Sequence, residues 1–254
     1  LDEGDFVQLT VQNENDGFAG TYIEADKPVS VFTSNDCANV PFGSANCCCE
    51  HLEENIFGLQ TWGTSYVGAS APQRGAEQCV WQVTAQEDNT TIVFEADANV
   101  TGLPPGNVDT LQAGETKEYS INGPASDPGD FLVMGDKPIL VTQYTVGSFI
   151  VQSGGSNGDP SQVQAVPVEQ FLDQYVILVP TTWVNDFVVL TREMGETVNL
   201  DGLAVSSGWV QVGNSNFEVA RVSVADGVHV LDGTAGFGAM VVGWDTYDSY
   251  AYPG

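Results

Sequence analysis

The chain of 254 residues contains 34 Asp and Glu residues but only 6 Lys and Arg residues, which gives a formal net charge of −28 at pH 7. Because so negative a surface repels phosphate groups, we expect neither nucleic acid nor an anionic membrane surface as a partner. Apolar residues make up 42% of the chain and aromatic residues 10%, enough to bury one large core or two to three smaller ones. No apolar run approaches the roughly 18–20 residues that a transmembrane helix requires.

Short runs rich in Val, Ile, Phe and Tyr, separated by turn residues, recur along the whole chain. Their spacing of roughly 8–12 residues predicts an all-β fold of antiparallel β-sandwich modules with little or no helix. In chain order, the predicted strands include residues 6–11, 79–85, 90–94, 117–121, 175–179, 187–191, 217–222 and 239–243. Helical turns are predicted for residues 50–55 and 167–172.

One pattern, an alternating strand followed by a tight polar turn and a second apolar strand, occurs three times. Its copies lie at residues 22–31, 131–141 and 228–238. A pattern that recurs at this distance indicates duplication of one supersecondary unit. In the first two copies we predict a hairpin around the same turn sequence, formed by Asp26, Lys27 and Pro28 and again by Asp136, Lys137 and Pro138.

Alignment of the copies predicts tandem modules in three parts. Residues 1–57 form a partial first β-module with a cysteine loop, residues 58–170 a second β-sandwich module and residues 171–254 a third. On this alignment the first module lacks its opening strands, and its open sheet edge must be covered. We expect residues 1–57 to pack against the second module; the alternative is that upstream sequence has been lost.

The five cysteines favour disulfide bonds over a metal site: Cys37, Cys47, Cys48, Cys49 and Cys79. Four of them lie in one loop, and none of the spacings is that of a zinc site. We expect Cys37 to pair with one of the three adjacent cysteines, while Cys79 is available for another bond. Zinc or copper held by thiolates and His51 is the alternative. Since disulfide bonds form in oxidising compartments, the chain is predicted to be extracellular or at the cell surface.

Two acidic turns are candidates for structural calcium, because hard cations prefer carboxylate and carbonyl oxygens. One contains Asn13, Asn15 and Asp16, and the other contains Glu87 and Asp88. Neither has the closing Glu and the helical flanks of a helix–loop–helix calcium site, so a polar turn without metal is the alternative for both. No other cofactor is predicted.

No motif in the sequence predicts catalysis. The two histidines are His51 and His229, and the chain has no nucleophile elbow, no paired-histidine zinc motif and no phosphate-binding glycine loop. Paired carboxylates of the glycosidase type carry no signal in a chain with 34 acidic residues. We therefore predict a non-enzymatic protein.

Several segments together resemble the amino-terminal domain family of IgGFc-binding protein. They cover residues 26–34, 37–41, 49–54, 61–64, 86–91 and 111–115, and residues 158–162, 167–171 and 247–254 look like the bacterial members of that family. The resemblance implies a secreted or surface-attached β-rich module without catalytic residues. Immunoglobulin binding belongs to the animal protein that named the family and is not carried over to this chain. The Cys-Cys-Cys run departs from the two-cysteine loop of the animal version, so the resemblance does not fix the disulfide pairing.

The function predicted from these features is adhesion or recognition of a protein or glycan partner at the cell surface. One alternative is a structural subunit of an extracellular filament or sheath, in which chains self-associate when a neighbour's strand completes the partial module. The second alternative is a carbohydrate-binding or carbohydrate-active domain, in which one or two of the five tryptophans stack on sugar.

Overall fold

A computed structural model describes residues 2–11, 17–43, 49–151 and 156–254. The described residues form antiparallel sheets with only a few short helical turns, which confirms the predicted all-β, sandwich-like fold. Among them, no helix combines the length and the apolar character needed to cross a bilayer.

In the part of the chain that the structure describes, seventeen strands and one short α-helix follow one another. The strands are β1 (Phe32–Ala38), β2 (Glu50–Asn55), β3 (Gly63–Gly68), β4 (Cys79–Ala85), β5 (Thr90–Ala96), β6 (Val108–Leu111), β7 (Thr116–Ile121), β8 (Phe131–Tyr144), β9 (Gln162–Gln164), β10 (Leu172–Val179), β11 (Asn185–Glu193), β12 (Val198–Leu200), β13 (Leu203–Ala204), β14 (Val210–Gln211), β15 (Phe217–Ser223), β16 (Gly227–Asp245) and β17 (Asp248–Pro253). The helix α1 covers Ser148–Val151, and single 3-10 turns cover Leu59–Thr61, Pro105–Asn107 and Val168–Gln170.

Strands β3 to β9 form one sheet, which we call the first unit, around the long strand β8. The first half of β8 pairs with β3 and β5, and the second half pairs with β4 and β9. Strand β6 extends the sheet beyond β5, and β7 extends it beyond β4. One long strand therefore belongs to both layers of a curled sheet.

Strands β10 to β17 form a second sheet, the second unit, in which β16 occupies the place of β8. The first half of β16 pairs with β10 and β12, and the second half pairs with β11 and β17. Strands β13 and β15 extend the two layers, and β14 is added at the edge of β15. Each pairing of the first unit thus has a counterpart in the second.

The correspondence extends to the register of individual residues. Tyr66 pairs with Val133 in the first unit, and Tyr175 pairs with Leu231 in the second. Six residues further along each long strand, Ile139 pairs with Gly63 at the start of β3, and Phe237 pairs with Leu172 at the start of β10. The two long strands therefore bend at the same point.

Each bend requires a glycine because the backbone folds closely over itself. A Cβ atom at Gly135 would lie 2.5 Å from the carbonyl oxygen of Lys137, and one at Gly233 would lie 2.8 Å from the carbonyl oxygen of Ala235. Contacts this short exclude any side chain unless the bend opens.

A buried tyrosine hydroxyl pins each bend from inside. The Tyr66 hydroxyl donates to the carbonyl oxygen of Ile139 at 2.7 Å and accepts from the amide of Gly63 at 3.0 Å. The Tyr175 hydroxyl donates to the carbonyl oxygen of Phe237 at 2.6 Å and accepts from an amide of its own strand at 2.9 Å. Both hydroxyls satisfy backbone groups that the irregular pairing leaves without a ladder partner.

Aromatic side chains fill the space between the two layers of the first unit. Trp81 of β4 meets Phe131 of β8 edge to face, with ring centroids 5.0 Å apart, and Phe94 of β5 meets Tyr119 of β7 at 5.1 Å. These contacts join residues on opposite layers, and all four side chains are buried. The second unit has its own buried cluster around Phe237 and Leu231.

The predicted hairpin at Asp136, Lys137 and Pro138 is wrong. These residues lie inside the continuous strand β8, whose two halves pair with different neighbours and not with each other. The same pattern that suggests a reversal of the chain therefore marks a change of layer.

Three further expectations near the N-terminus also differ from the structure. Residues 6–11 and 22–31 form no strand, and Asp26 and Lys27 lie at an exposed bend. Residues 50–55 form strand β2 and not a helical turn, because they pair with β1 and bury Leu52 against the first unit.

The second predicted helical turn is present as the short 3-10 turn after Pro167.

We expect Tyr66→Phe and Tyr175→Phe each to lower the free energy of unfolding by about 1–3 kcal/mol, because each change leaves a buried carbonyl and amide without a partner. Urea denaturation measures the difference. Tyr247→Phe, at an exposed tyrosine, is the matched control. If all three variants unfold alike, the hydroxyls do not hold the bends.

Candidate recognition surface

A group of exposed aliphatic side chains lies on one sheet surface of the second unit. Val176 and Leu178 alternate with buried residues along β10, so both point away from the core. They pair directly across the sheet with Val230 and Val228 of β16. The exposed fractions are 70% for Val176, 59% for Leu178, 65% for Val228 and 40% for Val230. We call these four side chains the apolar face.

Polar groups border the apolar face. Asn199 donates to the Asp232 carboxylate at 2.9 Å on one side, and the Asp201 carboxylate accepts from the amide of Val230 at 3.0 Å. On the other side β10 is an edge strand, since its one partner among the described strands is β16. The Tyr252 hydroxyl bonds to both the amide and the carbonyl of Leu178, at 3.1 and 2.6 Å, and blocks pairing there. An apolar centre with a polar rim is typical of protein-binding surfaces.

His229 lies behind this face in a structural pair. Its Nδ1 lies 2.7 Å from the Asp201 carboxylate and its Nε2 lies 2.7 Å from the carbonyl oxygen of Ala225. Two acceptors favour the doubly protonated ring, and the hydrogen bond with Asp201 raises the pKa of His229. An imidazolium held in this way fixes a loop and lacks the free nitrogen of a general base.

The cysteine loop is closed by one disulfide bond. Cys37 and Cys49 are bonded, with Cα atoms 4.9 Å apart, and this bond links β1 to the start of β2. Cys47 and Cys48 lie outside the described residues. Cys79 is buried and free among the described cysteines, and burial raises the pKa of its thiol to about 11. At neutral pH it is a protonated core residue and not a nucleophile.

The turn with Glu87 and Asp88 is held by protein groups. The Asp88 carboxylate accepts from the amide of Ala113 at 3.0 Å, and Lys137 donates to the carbonyl oxygen of Asp88. The carbonyl oxygen of Glu87 accepts from the Thr90 hydroxyl at 2.7 Å. Asn13, Asn15 and Asp16 lie outside the described residues. Within the described ranges, no group of three His, Cys, Asp or Glu side chains could hold a metal ion.

The repeat-marking residues of β8 are bound to this turn. Asp136 accepts from the amide of Thr91 at 2.8 Å, and Lys137 reaches Asp88 as described above. The bend in β8 and the turn between β4 and β5 therefore stabilise each other. The corresponding triplet at Asp26, Lys27 and Pro28 is exposed.

None of the five tryptophans is an exposed platform for sugar. Trp81 and Trp244 are buried, and the other three, Trp62, Trp183 and Trp209, are half-buried. Trp209 lies under the guanidinium of Arg192, 3.7 Å from the ring centroid, and Trp183 lies 4.8 Å from the Tyr250 ring.

A buried glutamine attaches β2 to the first unit. The Gln164 side chain donates to the carbonyl oxygen of Asn55 at 2.7 Å and to the Glu54 carboxyl at 3.3 Å, and it accepts from the amide of Phe57 at 3.1 Å. Burial raises the pKa of Glu54 to about 7, and the hydrogen bond with Gln164 only partly offsets this. Within residues 1–57 the contact with the first unit is made by β1, β2 and the residues that follow them, whereas residues 2–11 and 17–30 are exposed.

Sequence reasoning did not identify the apolar face. Residues 175–179 are apolar at every position, whereas a strand with one solvated face would alternate between apolar and polar residues. Such a run predicts burial on both faces, whereas the structure buries only the side chains of Tyr175, Ile177 and Val179.

Taken together, the described residues form a sandwich-like all-β protein with an apolar surface, a combination typical of a binding module. The family model described as IgGFc binding protein matches residues 1–243, so the chain belongs to this family, as its motifs indicated. It is 24% identical to the human IgGFc-binding protein over 260 aligned residues. The alignment covers 98% of this chain but only 4% of the human protein. No solved structure matches the chain.

Cys37→Ser should destabilise the β1–β2 pair by about 3 kcal/mol, because the disulfide closes a loop with a sequence separation of 12 residues. We choose Cys37 because Cys47 or Cys48 could replace Cys49. Limited proteolysis should then cut the variant within residues 38–49 at a protease concentration that spares the native chain. Cys79→Ala, which leaves the loop closed, is the control; equal resistance of the two variants would contradict a stabilising role for the bond.

Glu54→Gln should raise the free energy of unfolding at pH 8 by about 1 kcal/mol, after allowance for solvent screening of this half-buried carboxyl. The folded protein keeps a proton that the unfolded chain, with a pKa of about 4.3, releases earlier. Stability therefore falls as pH rises from about 4.3 to about 7, and the amide removes this loss. Denaturation at pH 4, 6 and 8 tests this, with the exposed Glu53→Gln as control; a difference that does not grow with pH would contradict it.

Proposed function

We propose that the chain is a non-enzymatic module, extracellular or attached to the cell surface, that recognises a protein partner through the apolar face and serves in adhesion. The observation that carries this proposal is the set of four aliphatic side chains in two directly opposed cross-strand pairs on an outer sheet surface. Water contact with these side chains is unfavourable, so a protein surface that covers them gains binding free energy.

Membership of the IgGFc-binding protein family supports a binding function. The name of the human relative states that it binds the Fc part of immunoglobulin G. The alignment with this chain covers only 4% of that protein, so Fc binding is not assigned to this chain. Immunoglobulin Fc fragments serve instead as one of the probes in the binding test. The Cys37–Cys49 bond supports an oxidising compartment.

The described side chains support a role without catalysis. His229 has acceptors at both ring nitrogens, and Cys79 is a buried thiol with a raised pKa. The half-buried and buried tryptophans favour a protein partner over a glycan, because sugar stacking needs an open ring face.

We also propose the domain boundaries 1–57, 58–170 and 171–254, which arise by duplication of one module. The matched registers of the first and second units support the last two. For residues 1–57 the support is a matching strand pair. Residues 32–34 of β1 pair with residues 53–55 of β2. Residues 142–144 of β8, 110 positions later, pair in the same order with residues 162–164 of β9, 109 positions later. Gly4 and Gly114, also 110 residues apart, both have positive φ angles, 88° and 74°.

A structural subunit of a filament or sheath is the second candidate, favoured by the exposed N-terminal segment. Residues 6–11 and 22–31 correspond by the same separation to β7 and most of β8, but they lie outside any sheet. Phe6 and Tyr22 are 86% and 69% exposed. Apolar segments of this kind can pair with a neighbour's strand. Sedimentation of concentrated protein decides: chains that remain monomeric contradict the filament.

Recognition through the apolar face is tested by binding to an array of purified extracellular proteins that includes immunoglobulin Fc fragments. We expect binding to a small set of them, and at least a tenfold loss of affinity in the double variant Val176→Asp, Val230→Asp, because a charged side chain would be desolvated in the contact.

Val184→Asp is the matched control, since Val184 is exposed in the turn between β10 and β11, outside the apolar face. It should bind as the native chain does. Binding that the double variant retains, or an array without any bound protein, would contradict the proposal. Turnover of glycosides by the native chain would contradict a role without catalysis.

A further inference from the structure

The first unit has a surface that corresponds to the apolar face, and there it is buried. The matched registers place Val67 at the position of Val176, Ala69 at that of Leu178 and Leu132 at that of Val230. Val67 and Leu132 are each only 6% exposed. The same sheet position is therefore covered in one unit and open in the other.

The second unit is what covers this surface of the first. Val67 and Leu132 belong to one buried cluster with Val189 of β11, Val212, and Val219 of β15. Val67 and Ala69 also line a cleft together with Val189 and Met240 of the second unit. The covering surface is thus the outer face of β11, β15 and the second half of β16.

Polar contacts fix the alignment of this junction. The Arg221 guanidinium of β15 donates to the carbonyl oxygen of Ser70 at 2.8 and 3.0 Å and forms an ion pair with the buried Asp130 carboxylate. The amide of Asn214 donates to the Glu95 carboxylate at 3.0 Å. The junction is therefore specific as well as apolar.

Asp130 corresponds to Val228, and among the four positions of the apolar face this is the one change between a charged and an apolar side chain. The apolar face therefore offers no carboxylate for an arginine at the position of Arg221. A unit that docks there should carry an apolar residue at that position, because an unpaired guanidinium would be desolvated.

We propose that the occupant of the apolar face is a further unit of this same fold, which docks through its own β11–β15 surface as the second unit docks on the first. This inference rests on the proposed function, since it names the class of partner that the apolar face recognises. It makes the described junction one step of a head-to-tail series of modules.

The test extends the full chain by a second copy of residues 165–254, placed after Pro253. Residues 165–171 join β9 to β10, and Pro253 occupies in β17 the place of Gln164 in β9, so the added unit starts at the native spacing. The added copy carries Arg221→Leu to match Val228. Small-angle X-ray scattering and the methyl resonance of the added Met240 report whether it docks.

We expect the extended chain to scatter as one rigid particle and the added Met240 methyl to show contacts with Val176. Val176→Asp with Val230→Asp in the original second unit should abolish both signals, whereas Val184→Asp should keep them. Near-ultraviolet circular dichroism of the unextended variants shows that they are folded.

An added unit that tumbles independently in the chain without the Asp substitutions would overturn the inference. So would dimerisation of the unextended chain that Val176→Asp abolishes, because the occupant would then be a second copy of the chain. Binding on the protein array is a separate readout, so failure of docking and failure of the proposed function are distinguishable.

Discussion

The bend in each long strand is the constraint on which the rest of the structure depends. Strands β8 and β16 each pair with four others, two on either side of the bend, so both layers of each unit take their register from one strand. Gly135 and Gly233 permit the close approach, and the hydroxyls of Tyr66 and Tyr175 hold it. The positions of the strands in both units, including β10 and the part of β16 that carries the apolar face, follow from where these two strands bend.

The local pattern of apolar and polar residues predicted the strands that lie within one layer. It failed for a long strand that belongs to both layers of a unit. Residues 79–85 alternate cleanly and form β4 as predicted, because one layer sets their environment. At Asp136 to Pro138 the sequence has turn chemistry, yet the flanking halves pair with β3, β5, β4 and β9 instead of each other. Turn residues indicate a local change of chain direction. Which strand the following segment pairs with is determined by long-range contacts.

The same limit applies to the site. Val176 and Val230 read as core residues, and their counterparts Val67 and Leu132 are core residues, so no feature of residues 175–179 alone separates an open face from a covered one. Conversely, residues 50–55 contain three glutamates and lack β-branched residues, and they become a strand through the disulfide, pairing with β1 and the buried amide of Gln164. The family resemblance was recognisable because it rests on the order of many short motifs and not on any single environment.

The rarity of basic residues gives the Arg221–Asp130 ion pair a meaning beyond stability. A guanidinium is a rigid fork that accepts few orientations, so the internal joint admits one alignment and rejects a neighbour that lacks this charge. Val228 on the apolar face removes the requirement for an arginine, so a neighbour that docks there is selected by the shape of its surface. The Asp130 carboxylate therefore restricts the first unit to a neighbour that carries an arginine, whereas Val228 lets the apolar face accept different neighbours in the course of evolution.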